Sequence, residues 1–232
     1  MKRVGLITGL GPASTIDYYL GIINGFREIK NNGSYPEIAM FNVDMNRMFE
    51  YTKAGDYQSI TDYLAESVER LKASGATAAV ICCNTLHIVF DQLVKKSSLP
   101  LLSIVNATCR EIKRRNFKKV LLLGTIFTMN SEMYPKVLET EGVETILPDK
   151  AQREQIQSII FPELEEGIVN QTKKIELISI AEKIIRHERV EAVILGCTEL
   201  PIMIKPGDLS VELLNTTEIH ILDILSYLTG KE

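Results

Sequence analysis

The chain is expected to fold as an α/β protein of two pseudo-symmetric parallel-sheet halves, with the active site in the cleft between them. Three observations in its 232 residues lead there. Short β-rich runs alternate with helix-length amphipathic stretches. Short patterns recur along the chain in the same order at a nearly constant offset. Two cysteines, Cys83 and Cys197, stand 114 residues apart, each at the end of an apolar run and followed by small polar residues.

Strands are predicted over residues 3–8, 37–43, 78–83, 101–104, 119–123, 144–146, 192–195 and 211–214. Several of these are continuous apolar runs rather than alternating ones, as parallel strands covered on both faces require. Helices are predicted between them over 14–30, 57–73, 108–115, 131–141, 150–166, 173–187 and 218–228. Strand–helix alternation of this kind argues for parallel sheets.

The repeat shows in four places. Val4-Gly5-Leu6-Ile7-Thr8-Gly9 answers Val120-Leu121-Leu122-Leu123-Gly124-Thr125, and Ala65-Glu66 answers Ala181-Glu182. Val105-Asn106-Ala107-Thr108 answers Leu214-Asn215-Thr216-Thr217, and the cysteines form the fourth pair. The halves are read as about 1–105 and 106–215, with a C-terminal helix, about 216–232, packing back on the first. Ligands of such sheets bind beyond the carboxyl ends of the strands, where both cysteines fall.

Composition bounds the function. With 45% hydrophobic and 24% charged residues the chain reads as an ordinary globular protein. A formal net charge of −4 gives no basic footprint for nucleic acid and no polybasic stretch for a membrane surface. The apolar runs are short of a membrane span, and the N-terminus does not read as a signal peptide. The four cysteines (Cys82, Cys83, Cys109, Cys197) show neither disulfide spacing nor metal knuckles, so a reducing cytoplasm is expected.

Two thiols facing each other can remove a proton from one face of a carbon and return one to the other. Inverting an amino acid needs that arrangement, and it needs no cofactor. Cysteine serves when its pKa falls toward neutrality. Asn84-Thr85 and Thr198-Glu199 stand where helices should begin, and helix N-termini would favour thiolates and bind a substrate carboxylate. Cys82 and Cys83 compete as the first thiol, since neighbouring strand residues point to opposite sides. Cys109 reads as a core residue without a polar partner.

Gly9-Leu10-Gly11-Pro12-Ala13-Ser14 follows the first strand and resembles the opening of a dinucleotide site. Ser14 stands in place of the third glycine, Pro12 lacks an N–H, and Asp44 comes too late for a ribose contact. In the two-thiol reading Leu10 and Gly11 instead help close the substrate cleft. His87 follows the first thiol on the next helix and could support it, and no histidine has metal-ligand spacing. Arg47, in a loop after the second strand, could pair with a substrate carboxylate. The acidic segment 163–166 reads as an exposed helix face.

The chain resembles the aspartate/glutamate racemase family, the cofactor-independent amino acid racemases, over nearly its whole length. The likeness rests on Gly9-x-Gly11-Pro12-x-x-Thr15, Cys83-Asn84-Thr85-Leu86-His87, Leu123-Gly124-Thr125 and Gly196-Cys197-Thr198-Glu199. It implies that Cys83, rather than Cys82, is the first catalytic thiol, paired with Cys197. It implies that Asn84, Thr85, Thr125, Thr128 and Thr198 hold the amino acid backbone groups. It also implies a homodimer, an amino acid substrate, and no pyridoxal phosphate or metal. Val43-Asp44 and Leu122-Leu123-Gly124-Thr125-x-x-Thr128-Met129 look closest to broad-specificity or Asp/Glu-acting bacterial members. Archaeal-type aspartate racemases carry a side-chain-binding arginine that Arg47 matches approximately, and a lysine that falls here at Glu165, which speaks against strict aspartate specificity. Hydantoin racemisation, diacid isomerisation or decarboxylation, and a non-catalytic binding role are the alternatives.

Overall fold

The computed structural model describes residues 2–230. The elements run β1 (Val4–Thr8), α1 (Pro12–Lys30), β2 (Ile38–Asn42), α2 (Met45–Ala54), α3 (Tyr57–Ala73), β3 (Ala78–Ile81), α4 (Phe90–Lys96), β4 (Leu101–Leu102) and α5 (Ile104–Arg114). They continue with β5 (Lys119–Gly124), α6 (Ile126–Asn130), α7 (Met133–Thr140), β6 (Glu144–Ile146), α8 (Lys150–Ile159), α9 (Gln171–Glu188), β7 (Ala192–Gly196), α10 (Leu200–Met203), β8 (Glu212–Asn215) and α11 (Thr216–Thr229).

The chain divides into two compact units. One comprises the chain up to Ile104 together with the residues from His220 onward, and the other is Val105–Ile219. The first holds a parallel sheet in the order β2-β1-β3-β4, the second a parallel sheet in the order β6-β5-β7-β8. The two orders are the same, so β3 and β7 are equivalent strands. All eight predicted strands are present, with the fourth shortened to two residues because α5 already starts at Ile104.

Each sheet is sandwiched, which is why its central strands are largely apolar: β1, β3 and β7 are buried at every residue, with Thr8 the one polar side chain among them. In the first unit, Ile7, Ala79 and Ile81 pack with Ile60, Leu64, Val68 and Leu71 of α3. On the opposite face Val4, Leu6, Val80 and Cys82 pack with Tyr18, Ile22, Ile221, Ile224 and Leu225. The α1–α11 contact is close because Gly21 and Gly25 lack side chains. A Cβ on Gly25 would stand 2.4 Å from Leu225 Cδ1. His220 ties the same layer, donating from Nε2 to the Leu102 carbonyl at 3.2 Å and accepting from the Tyr18 hydroxyl at 2.8 Å. In the second unit, Leu121, Leu123, Val193 and Leu195 pack with Ile156, Leu177, Ala181 and Ile184. Each buried Val, Leu or Ile among them contributes about 1.5–3 kcal/mol by burial.

Two expectations are corrected. Residues 150–166 do not form one helix: α8 ends at Ile159 and a single π-type turn, Ile160–Leu164, follows, with Phe161 extended (φ −101°, ψ 141°). Pro162 cannot continue the hydrogen-bond ladder. The second is Arg47, which lies in the first turn of α2 and not in a loop. No helix among the described residues is long and apolar enough to cross a membrane.

Candidate active site

In the first unit the predicted site residues gather at the carboxyl edge of the sheet. After β1 the chain turns through Gly9 and Gly11, both at positive φ (82° and 145°), a conformation that glycine adopts without steric cost. Leu10 between them is buried. The turn is held from within: Thr15 Oγ1 accepts from Gly9 N at 3.3 Å, and Thr15 Oγ1 and Ser14 Oγ both donate to the Gly11 carbonyl, at 2.9 and 3.0 Å. After β2, Asp44 caps α2 by accepting from Asn46 N and Arg47 N. The exposed Arg47 guanidinium lies over the rings of Tyr63 (5.2 Å) and Tyr51 (6.0 Å).

Cys82 and Cys83 follow β3 and pack on opposite sides of the sheet. Cys82 lies in the α1–α11 layer, and burial pushes its thiol well up. Cys83 packs against the α3 layer and is only half-buried. Asn84 is buried and Thr85 half-buried, at the start of a 3₁₀ turn, Thr85–Val89. His87 sits in that turn at 3% exposure. The Ile104 amide donates to its Nε2 at 3.3 Å, so the ring proton is on Nδ1. That N–H donates to the Cys83 carbonyl at 2.8 Å. Burial holds the ring neutral, with its pKa lowered to about 4. His87 thus clamps the peptide that follows the thiol-bearing residue.

In the second unit the equivalent edge carries Thr125, Thr128, Cys197 and Thr198. Gly124 and Gly196 end β5 and β7 side by side in register. Thr125 Oγ1 caps α6 by accepting from Thr128 N at 3.3 Å and lies 3.1 Å from Thr128 Oγ1. Thr128 is fully buried, with its methyl group against the two glycines, so it positions Thr125. Cys197 is 4% exposed, and its Sγ donates to Glu199 Oε2 at 3.0 Å. Thr198 Oγ1 donates to the same oxygen at 2.8 Å. Cys109 is remote from this set: it is buried in α5, with its Sγ 3.9 Å from the Val137 carbonyl, a weak partner that the sequence did not suggest.

Glu165 completes the second cluster. A carboxyl oxygen of Glu165, one of Glu199 and Cys197 Sγ all lie within 4.8 Å of one another. The segment 163–166 is therefore not a solvated face, because Glu165 turns inward. Burial and the Glu199 charge raise its pKa to about 8. The Cys197 thiol is pushed well up by burial and then by the charges of Glu199 and Glu165. For Cys197 this reverses the expectation of a thiolate stabilised by a helix N-terminus. The helix after Cys197 has only four residues, too short to supply much dipole, whereas the 3₁₀ turn after Cys83 runs directly into α4. Sequence reading gave Glu199 and Glu165 no part at the thiol. The signal for Glu199 was a lone acid inside the otherwise apolar stretch 192–204. For Glu165 the run Glu163-Leu164-Glu165-Glu166 offered none, and only the family resemblance marked the position.

Two parallel α/β units of the same strand order thus each carry a cysteine just beyond the equivalent central strand. Comparison with known proteins makes this specific. The model of the Asp/Glu/Hydantoin racemase family matches residues 7–224, and the chain belongs to that family. It is 26% identical over 200 residues to the broad specificity amino-acid racemase RacX of Bacillus subtilis, covering 85% of each chain. Among solved structures it is similar to one from Yersinia pestis described as a candidate Asp/Glu racemase. There the identity is 33% and the TM-score 0.90, over 99% of this chain and 100% of that one. It is likewise similar to an aspartate racemase homologue from Pyrococcus horikoshii, with 35% identity and a TM-score of 0.84 over the same shares.

Proposed function

We propose that the protein is an amino acid racemase that inverts Cα by a two-base mechanism with Cys83 and Cys197 as the opposed thiols. The observation that carries this reading is the equivalent placement of the two cysteines, each at the carboxyl end of the third strand of an identically ordered sheet. Packing alone gives no reason to repeat a thiol there. The chemistry runs as a proton exchange: one residue, as thiolate, takes the α-proton from one face while the other, as thiol, gives its proton to the opposite face. Their protonation states are then reversed, which suits the opposite enantiomer.

The environment of Cys197 supports its entry into the cycle as the thiol. Neighbouring carboxylates oppose its ionisation, and Glu199 stands in hydrogen-bond reach to accept its proton when the reaction runs the other way. Asn84, Thr85, Thr125 and Thr198 offer the polar groups for the substrate carboxylate and ammonium, with Leu10 and Gly11 as apolar and backbone contacts. Arg47 is available for a substrate carboxylate only by leaving its tyrosine contacts. A homodimer belongs to the same reading, supported by Ile16, Tyr19 and Leu20, exposed on one face of α1. Four free cysteines support a reducing compartment.

The test is chiral chromatography of a panel of single-enantiomer amino acids after incubation with enzyme freed of pyridoxal phosphate. Appearance of the opposite enantiomer supports the reading. No inversion for any of them, hydantoins and small diacids being turned over instead, replaces it.

A further inference from the structure

Two buried histidines meet next to the turn that follows Cys83. His220 on α11 is fully buried, His87 is 3% exposed, and their rings stand edge to face with centroids 6.4 Å apart. Tyr18 of α1, also fully buried, meets His220 edge-on at 5.6 Å, and Phe90 stacks on His87 at 5.1 Å. The layer that Tyr18 belongs to is otherwise apolar, with Leu6, Ile22, Ile221, Ile224 and Leu225 around it. Packing alone gives no reason to bury a phenol and an imidazole there, since polar groups cost free energy in such a place unless they are engaged.

The hydrogen bonds run in one direction. The Tyr18 hydroxyl donates to His220 Nδ1 at 2.8 Å, and His220 Nε2–H donates to the Leu102 carbonyl at 3.2 Å. A carbonyl only accepts, which puts the His220 proton on Nε2. Two residues on, the Ile104 amide donates to His87 Nε2, and His87 Nδ1–H donates to the Cys83 carbonyl. The series starts on α1 and α11, passes the end of β4 and finishes on the residue that bears the first thiol. Buried polar groups linked in this way fix one another's orientation. The chain also passes between its two units here. The first unit's long segment ends at Ile104, whose amide His87 holds, and the chain returns to that unit at His220.

Resting on the racemase reading of Cys83, we propose that His220 is a positioning residue for that thiol. It is fully buried and acts through other residues. It holds the Leu102 carbonyl, the turn from Leu102 to Ile104 holds His87, and His87 holds the Cys83 carbonyl, which fixes where Sγ stands against Cα. Tyr18 keeps the His220 ring in the orientation this needs.

The experiment compares the wild type with His220→Phe, His220→Gln, Tyr18→Phe and Ile224→Ala, each shown to be folded by a cooperative melt. Ile224→Ala is the control, a substitution in the same apolar layer. Three quantities are read: kcat and KM for the amino acid inverted, the rate at which iodoacetamide alkylates Cys83, and the proton NMR position of the His87 ring N–H. Cys83 is half-buried while Cys82, Cys109 and Cys197 are buried, so alkylation followed by mass spectrometry reports mainly on it. His220→Phe is expected to lower kcat by roughly tenfold or more with KM changed by no more than about twofold, the mark of a displaced catalytic group. It should also change the alkylation rate and shift the His87 signal. His220→Gln, whose amide can still donate to the Leu102 carbonyl, should recover most of the loss, and Tyr18→Phe should fall between. Ile224→Ala should lower stability and leave all three readouts at wild-type values. His220→Phe with wild-type readouts overturns the proposal, and so does an equal change in Ile224→Ala. If His220→Phe does not fold, Tyr18→Phe decides: an unmoved His87 signal with unchanged kcat overturns it. Failure to invert any amino acid strikes the racemase reading alone. The alkylation rate and the ring signal then still decide whether His220 holds the Cys83 turn.

Discussion

Cys197 Sγ donates a hydrogen bond to Glu199 Oε2 at 3.0 Å, and Thr198 Oγ1 donates to the same oxygen at 2.8 Å. One carboxylate oxygen thus fixes the rotamer of the thiol and stands ready to take its proton. The arrangement costs thiol acidity, because Glu199 and Glu165 both oppose a thiolate in a buried place. It gains a defined proton partner. A buried thiol whose pKa has been pushed up works as an acid, and becomes a base only through a neighbour that removes its proton.

Glu199→Gln is expected to keep the fold and the thiol contact while removing the proton acceptor. kcat should fall by roughly 100-fold in the direction that needs Cys197 as base, in line with the usual worth of general base catalysis. The opposite direction should lose less. Initial rates from each pure enantiomer measure this. Equal loss in both directions assigns Glu199 to substrate binding instead.

Cys83→Ser and Cys197→Ser are each expected to abolish inversion with little change in thermal stability, since the exchange is nearly isosteric. Cys82→Ser and Cys109→Ser should leave turnover within a few-fold. Cys82→Ser should lower stability by about 1–3 kcal/mol, because it places a hydroxyl among Val4, Leu6 and Tyr18. Chiral assay and chemical denaturation of the four proteins separate the roles.

His87 is neutral in the folded state, with its pKa lowered from 6.5 to about 4 by burial. The unfolded chain binds the proton first as pH falls, so this group's share of stability is full above about pH 6.5. It is lost between about pH 6.5 and 4, by on the order of 3 kcal/mol. His87→Asn should flatten that part of the stability–pH curve. It should also loosen the Cys83–Asn84 peptide and lower kcat more than it raises KM. A slope unchanged by the substitution would contradict the clamp.

Glu165 has the opposite sign. Its pKa is raised from an ordinary 4.5 to about 8 by burial and by Glu199, with Cys197 as the other titratable neighbour. Between those values the unfolded chain has released the proton and the folded one has kept it, so stability falls as pH rises from about 4.5 to about 8. Glu165→Gln should be more stable than the wild type at pH 8, with the advantage shrinking toward pH 4.5. Melting temperatures across that range test it.

Much of this architecture could be read from the chain. Short β-rich runs located all eight strands, and the central ones stood out as continuous apolar runs because they are covered on both faces. The repeat located both thiols at equivalent strand ends. What escaped depended on tertiary contacts. α2 was read as a loop around Arg47 because only Met48 and Thr52 are buried on it, although Asp44 and Gly55 cap it as a short helix should be capped. The break at Pro162 was passed over, and with it the inward turn of Glu165. Sequence order suggests helix-dipole activation of both thiols, yet at Cys197 the following helix has only four residues and the nearest charges are Glu199 and Glu165 of the turn after α8.

The central claim is two-base inversion by Cys83 and Cys197, and proton NMR in D₂O tests it most directly. Starting from one pure enantiomer, product should form with deuterium at Cα while the remaining substrate keeps its proton early in the reaction. Cys83→Ser and Cys197→Ser should each form no product. Early exchange of the substrate pool without inversion, or inversion that survives loss of either thiol, would contradict the account.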